Sequence, residues 1–135
     1  MKRILVIEDD DNVRRMLRLS LEGYGYEVME AGNGRQGLAL YMESPADLVL
    51  TDLVMPDKEG LETIIDLRKS NPKVKIIAMS GGSHSSAGEN LNMARHFGAA
   101  ALIAKPFETS KLVKTIASLL GELPPDAAAQ APAQN

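Results

Sequence analysis

Cysteine is absent from the 135 residues, so neither a disulfide framework nor a thiolate metal site is available, and the chain suits a reducing cytoplasm. Aromatic residues make up only 4%, which removes the stacking platforms that hold single-stranded nucleic acid. Positive charge is not in excess. Fifteen Lys and Arg face 18 Asp and Glu, a formal net charge of -3, so no global field draws the chain to nucleic acid and direct binding is not expected. No apolar run approaches the ~18 residues that span a bilayer, and Met1-Lys2-Arg3 leads straight into a short strand-like run. Membrane insertion and secretion are therefore not expected. The two histidines, His84 and His96, are too isolated for an imidazole metal site.

What the chain does have is alternation. Five short apolar runs, near 3–8, 26–30, 47–52, 74–79 and 101–104, alternate with helical periodicity near 11–23, 34–43, 59–70, 87–97 and 109–120. Four of the runs are continuously apolar, as strands covered by helices on both faces should be. The second alternates as Tyr26, Val28, Glu30 and reads as a sheet edge. The first helix carries Val13, Met16, Leu17, Ser20 and Leu21 at helical spacing, with Asp10 or Asp11 as its N-cap. The last carries Leu112, Val113, Ile116, Ala117 and Leu120, with Gly121 suited to its C-terminal cap. The fold class is α/β: a flavodoxin-like, doubly wound (βα)5 unit with a five-stranded parallel sheet of order 2-1-3-4-5 and helices on both faces. Residues 1–121 form this domain, and the Pro/Ala/Gln-rich stretch 122–135 reads as a disordered tail or linker.

Chemistry gathers at the strand ends. The first run ends in Glu8-Asp9-Asp10-Asp11 and the third in Asp52, and in this fold strands 1 and 3 flank the crevice where ligands bind. The fourth ends in Ser80 and the fifth in Lys105-Pro106. Two carboxylates ~4 Å apart repel by roughly 4 kcal/mol at an effective dielectric near 20, so Glu8, Asp9 and Asp52 need relief. Either a proton is shared at a raised pKa, or a divalent cation sits among the acids. An oxygen-only donor set favours magnesium. With a hydroxyl and an amine beside them, these groups fit phosphoryl transfer: Asp52 as nucleophile forming an acyl phosphate, Lys105 neutralising the phosphoryl group, Ser80 hydrogen-bonding one of its oxygens. Asp10 and Asp11 read as capping acids, Asp57 as a loop acid, and Arg14 with Arg18 as a solvated face that could meet an acidic partner.

Taken in order, Glu8-Asp9, the Asp52-Leu53-Val54-Met55-Pro56-Asp57-Lys58-Glu59-Gly60 segment, Ser80-Gly81 and Lys105-Pro106-Phe107 resemble the response-regulator receiver domain, over residues 2–121. That resemblance implies a phosphorylation-dependent switch of a two-component system. Asp52 would accept a phosphoryl group from a histidine kinase or histidine phosphotransfer protein. Asp9, Asp52 and the backbone carbonyl of Val54 would ligate Mg2+, and Glu8 would act mostly through water. It further implies that Ser80 and Lys105 engage the phosphate and shift the surface of the fourth helix, fifth strand and fifth helix toward an unknown downstream protein target. The domain would assist its own phosphotransfer and dephosphorylation without external turnover, in the cytoplasm.

The chain departs from the family where an aromatic usually stands three residues before the lysine; here it is Leu102. The loop 81–88 is also longer than is common, and Val54 and Gly82 point to slow self-hydrolysis. Two other readings compete. A degenerate receiver would act only as a protein-binding module, against which Asp52, Ser80 and Lys105 are all present. A small dinucleotide-binding domain is the second, since Gly32-Asn33-Gly34-Arg35-Gln36-Gly37 matches G-x-G-x-x-G. That motif follows an edge-like strand where a central one is required, and it leaves Glu8, Asp9, Ser80 and Lys105 without a role.

Overall fold

Side chains alternate across a strand, so a continuously apolar run must be covered twice. The computed structural model shows both covers. It describes residues 1–53, 59–80, 98–105 and 108–122, with residues 59 and 60 by backbone alone. Strands β1 (Arg3–Ile7), β2 (Glu27–Ala31), β3 (Leu48–Asp52), β4 (Ile76–Ser80) and β5 (Ala101–Ala104) form one parallel sheet in the order β2-β1-β3-β4-β5, as expected. Helices α1 (Asp11–Gly23), α2 (Gly34–Glu43), α3 (Glu59–Ser70) and α4 (Thr109–Leu119) pack on it. The helix expected near 87–97, the loop 81–88, Asp57 and the tail beyond Glu122 lie outside the described residues.

The two faces separate by parity. Ile4, Val6, Leu48, Leu50, Ile77, Met79 and Ile103 meet Leu17 and Leu21 of α1 and Leu112, Val113 and Ile116 of α4. Leu5, Ile7, Val49, Ile76 and Ala78 meet Tyr41 of α2 and Ile64 and Leu67 of α3. Each fully buried Leu, Ile or Val contributes about 1.5–3 kcal/mol, so this double core fixes where the strand ends fall. Edge position tells on β5: only Ile103 is buried there, in place of the two-sided cover expected of that run. Met16 is likewise not on the buried face of α1 but 50% exposed, because it lies about 120° around the helix from the Leu17, Leu21 side.

Caps set the helix ends. Asp10 Oδ1 accepts from the backbone N–H groups of Asn12 and Val13 at 2.9 and 3.1 Å, starting α1 at Asp11, the last residue of the acidic run. Asn33 Oδ1 accepts from the Gln36 N–H at 2.8 Å, while Gln36 Oε1 accepts from the Gly32 N–H at 2.7 Å. The G-x-G-x-x-G match is thus a reciprocal cap for α2, following edge strand β2, and its last glycine serves packing. A Cβ on Gly37 would stand 2.4 Å from Ile7 Cδ1 and 2.7 Å from its Cγ1, so only glycine lets α2 lie this close to β1. At the other end of the domain Gly121 takes φ 71°, the left-handed turn that ends α4. Contacts continue one residue past the expected boundary: Glu122 N–H donates to the Ala117 carbonyl, and the Tyr26 hydroxyl donates to Glu122 Oε1 at 3.3 Å. Burial, with the Glu122 charge added, pushes the Tyr26 pKa up to about 12.

Candidate functional site

Register places the site. Ile7 pairs with Thr51 and Asp52 with Met79, so Glu8 and Asp52 leave the sheet side by side at the carboxyl ends of β1 and β3. Ser80 pairs with Ala104, and the Lys105 N–H donates to the Ser80 carbonyl at 2.7 Å, which ties the ends of β4 and β5 together. Leu53 N–H, just past the aspartate, donates to the Met79 carbonyl at 2.8 Å. The four strand ends that the sequence singled out are therefore neighbours in one crevice.

Glu8 is 1% exposed and Asp52 4%, whereas Asp9 is exposed. One carboxylate oxygen from each of the three falls within 4.8 Å of the others. Lys105 Nζ bridges the two buried acids, donating to Glu8 Oε1 at 2.7 Å and to Asp52 Oδ2 at 3.2 Å. Glu8 Oε2 accepts from the Asp10 N–H at 3.1 Å, so both of its oxygens are engaged. This bridging role was not visible in the sequence, where Lys105 was assigned only to the incoming phosphoryl group. It supplies a third kind of relief beside the shared proton and the cation.

The crowding still registers in the titration. Burial is the largest effect on Glu8, and together with the Asp52 charge it outweighs the Lys105 and Asp10 hydrogen bonds, pushing the pKa up to about 7. Burial works against the Lys105 ammonium, yet its contacts with Glu8 and Asp52 prevail and hold its pKa above the ordinary value. Ser80 Oγ is buried and has no hydrogen-bond partner among the described residues. A buried hydroxyl without a partner carries a desolvation penalty that an acceptor placed beside it would remove.

The three carboxylates fit a hard divalent cation. They offer oxygen only, two buried and one open to solvent, and the net charge of the cluster with Lys105 remains negative. Val54, the fourth ligand that the resemblance supplied, lies outside the described residues.

One functional neighbour escaped the sequence reading. Arg14 and Arg18, assigned to a solvated face, both meet Glu30 of β2, at 3.3 and 3.1 Å. Arg14 Nη1 also donates to the Glu8 carbonyl at 2.7 Å. The acidic partner is in the same chain, 16 residues from Arg14, and the only signal for it was that Glu30 ends the alternating face of an edge strand.

Comparison with known proteins identifies the family of the fold. A family model described as the response regulator receiver domain matches residues 4–117. The chain is 35% identical over 120 residues to the response regulator receiver protein CpdR of Brucella abortus, spanning 89% of this chain and 98% of that protein. It is 35% identical over 117 residues to the chemotaxis protein CheY of Thermotoga maritima, spanning 85% of this chain and 94% of that one. Among solved structures, a CheY-like receiver domain protein of Methanospirillum hungatei superposes with a TM-score of 0.82 at 33% identity, covering 90% of this chain and 94% of the other. The chain belongs to the response regulator receiver domain family, the phosphorylation-dependent switches of two-component signalling.

Proposed function

We propose that Asp52 is the phosphoacceptor of this switch, with Glu8, Asp9 and Asp52 holding Mg2+ and Lys105 and Ser80 serving the phosphorylated state. The observation that carries the reading is the placement of Asp52: a buried carboxylate at the end of a central strand, 3.2 Å from a lysine ammonium and clustered with two further acids.

A carboxylate oxygen of Asp52 attacks the phosphorus of a phosphohistidine, the P–N bond breaks with its electron pair returning to the imidazole, and an acyl phosphate forms on Asp52. The cation, when bound, supplies positive charge for the phosphoryl oxygens. Lys105 already lies against the acceptor and transfers its contact from carboxylate to phosphoryl oxygen. Ser80, with its hydroxyl buried and unpartnered among the described residues, gains the acceptor it lacks. That gain is made only in the phosphorylated state, so it biases a two-state equilibrium. The donor is a histidine kinase or histidine phosphotransfer protein and the output a downstream protein. The domain assists its own phosphotransfer and dephosphorylation, has no external product, and works in the cytoplasm on its own surface contacts rather than on nucleic acid.

Leu102 is half-buried against the core cluster of Val49, Ile76 and Ala78. Readout here therefore runs through backbone and packing shifts at the β4 and β5 ends, without a ring to rotate.

Ser80→Ala separates acceptance from switching. The unphosphorylated variant is expected to be as stable as the native protein or up to about 1 kcal/mol more stable, because a buried polar group without a partner has been removed. It is expected to accept phosphate from a small acyl-phosphate donor, yet to lose most of the amide chemical-shift change at Ala104 and Lys105 that phosphorylation produces in the native chain. Full shifts in Ser80→Ala would remove Ser80 from the mechanism.

A further inference from the structure

We infer that Arg14 is a positioning residue for the acidic loop, its guanidinium holding the turn between β1 and α1 in the geometry that takes up magnesium. The inference rests on the reading of Glu8, Asp9 and Asp52 as the magnesium site.

The loop has a mechanical problem. Residues 8–11 are four consecutive acids, and Asp52 stands against Glu8 and Asp9, so charge repulsion works against the turn. Asp9 is exposed, and nothing on its own side chain need hold it in place. Arg14 acts where that freedom originates. Its Nη1 donates to the Glu8 carbonyl at 2.7 Å, and that carbonyl belongs to the planar peptide joining Glu8 to Asp9. Fixing the plane fixes the direction in which Asp9 leaves the chain.

The guanidinium is itself anchored on two elements. Its Nε donates to Glu30 Oε1 of β2 at 3.3 Å, and its Nη2 donates to Asp11 Oδ1 in the first turn of α1. Glu30 is in turn held by Arg18 Nη1 at 3.1 Å. From the opposite side the Glu8 N–H donates to the Ala31 carbonyl at 3.0 Å, so both ends of the Glu8 backbone are tied to the β2 end. The Arg14 side chain is only 17% exposed. A rigid planar fork can satisfy three acceptors at once, on β2, on α1 and in the loop between β1 and α1, which a lysine ammonium on a flexible stem does not reproduce.

Electrostatics and positioning predict opposite signs, which makes the test sharp. Deleting a positive charge beside a cation site should tighten magnesium by charge alone. Positioning predicts the reverse: about tenfold weaker magnesium binding in Arg14→Ala, measured by titration calorimetry. Arg14→Lys, which keeps the charge and is the safer variant for folding, is expected to weaken binding as well. Arg15→Ala, the exposed neighbour, is expected to bind as the native chain does or slightly tighter. In metal-free protein, hydrogen exchange at the Asp10 N–H, which donates to Glu8 Oε2, is expected to quicken in both Arg14 variants and not in Arg15→Ala. Magnesium binding unchanged or tightened in both Arg14 variants, or unchanged exchange at Asp10, would overturn the inference while leaving the site reading intact. A native chain that takes up no magnesium would overturn both.

Discussion

Lys105→Met is expected to cost the metal-free protein about 3–5 kcal/mol of stability, the usual loss when one partner of a buried ion pair is removed. The ammonium lies 2.7 Å from Glu8 Oε1 and 3.2 Å from Asp52 Oδ2, and those side chains are 1% and 5% exposed. Without it, the two buried carboxylates lose the ammonium that both of them contact. Glu8 can relieve part of that by taking up a proton, so the loss should be largest above pH 7 and smaller at pH 5. Adding magnesium should recover most of it, since the same oxygens then regain a cation. Urea unfolding of native and variant chains, in chelator and in magnesium, reads all three effects. A loss below about 1 kcal/mol in chelator would be the behaviour of a solvated surface pair and would contradict the bridging role.

Glu8→Gln is expected to change the pH dependence of stability. The folded protein holds the Glu8 pKa at about 7, above the ordinary 4.5, so the fold prefers the protonated acid. That preference is fully present below pH 4.5, where both states carry the proton, and is lost as pH rises through 7 and the folded chain must bury the charge. Relative to Glu8→Gln, the native chain should therefore lose about 3 kcal/mol between pH 4.5 and pH 7.5 in chelator. Magnesium should flatten the native curve and leave the variant little changed. A native curve parallel to that of Glu8→Gln would show that burial does not strain this carboxylate.

How far the sequence carried these conclusions differs from residue to residue. The limits of α1 and α2 were legible because their signals are local: Asp10 and Asn33 cap within three residues of themselves. The start of β4 was less so. Val74 is apolar and buried, yet its N–H donates to the Asn71 carbonyl in a turn, so the strand begins at Ile76. Hydrophobicity marked its burial and had nothing to say about its hydrogen bond. Met16 shows the reverse error, an apolar residue at helical spacing that lies off the axis of the face.

For the site, strand ends and fold topology together brought Glu8, Asp52, Ser80 and Lys105 to one place, because parallel order alone decides which carboxyl ends are adjacent. Side-chain reach was not legible. That Lys105 spans Glu8 and Asp52, and that Arg14 turns from solvent to Glu30 and the Glu8 carbonyl, depends on contacts between residues 6 to 97 apart and on rotamers that no spacing encodes.

Phosphoryl uptake at Asp52 is most directly tested by intact-mass spectrometry after incubation with a small acyl-phosphate donor, with and without magnesium, on the native chain and on Asp52→Asn. The expected result is a gain of one phosphoryl group in the native chain, dependent on magnesium and absent from Asp52→Asn. An equal gain in Asp52→Asn, or no gain under conditions that modify another receiver domain, would contradict the assignment of Asp52 as phosphoacceptor.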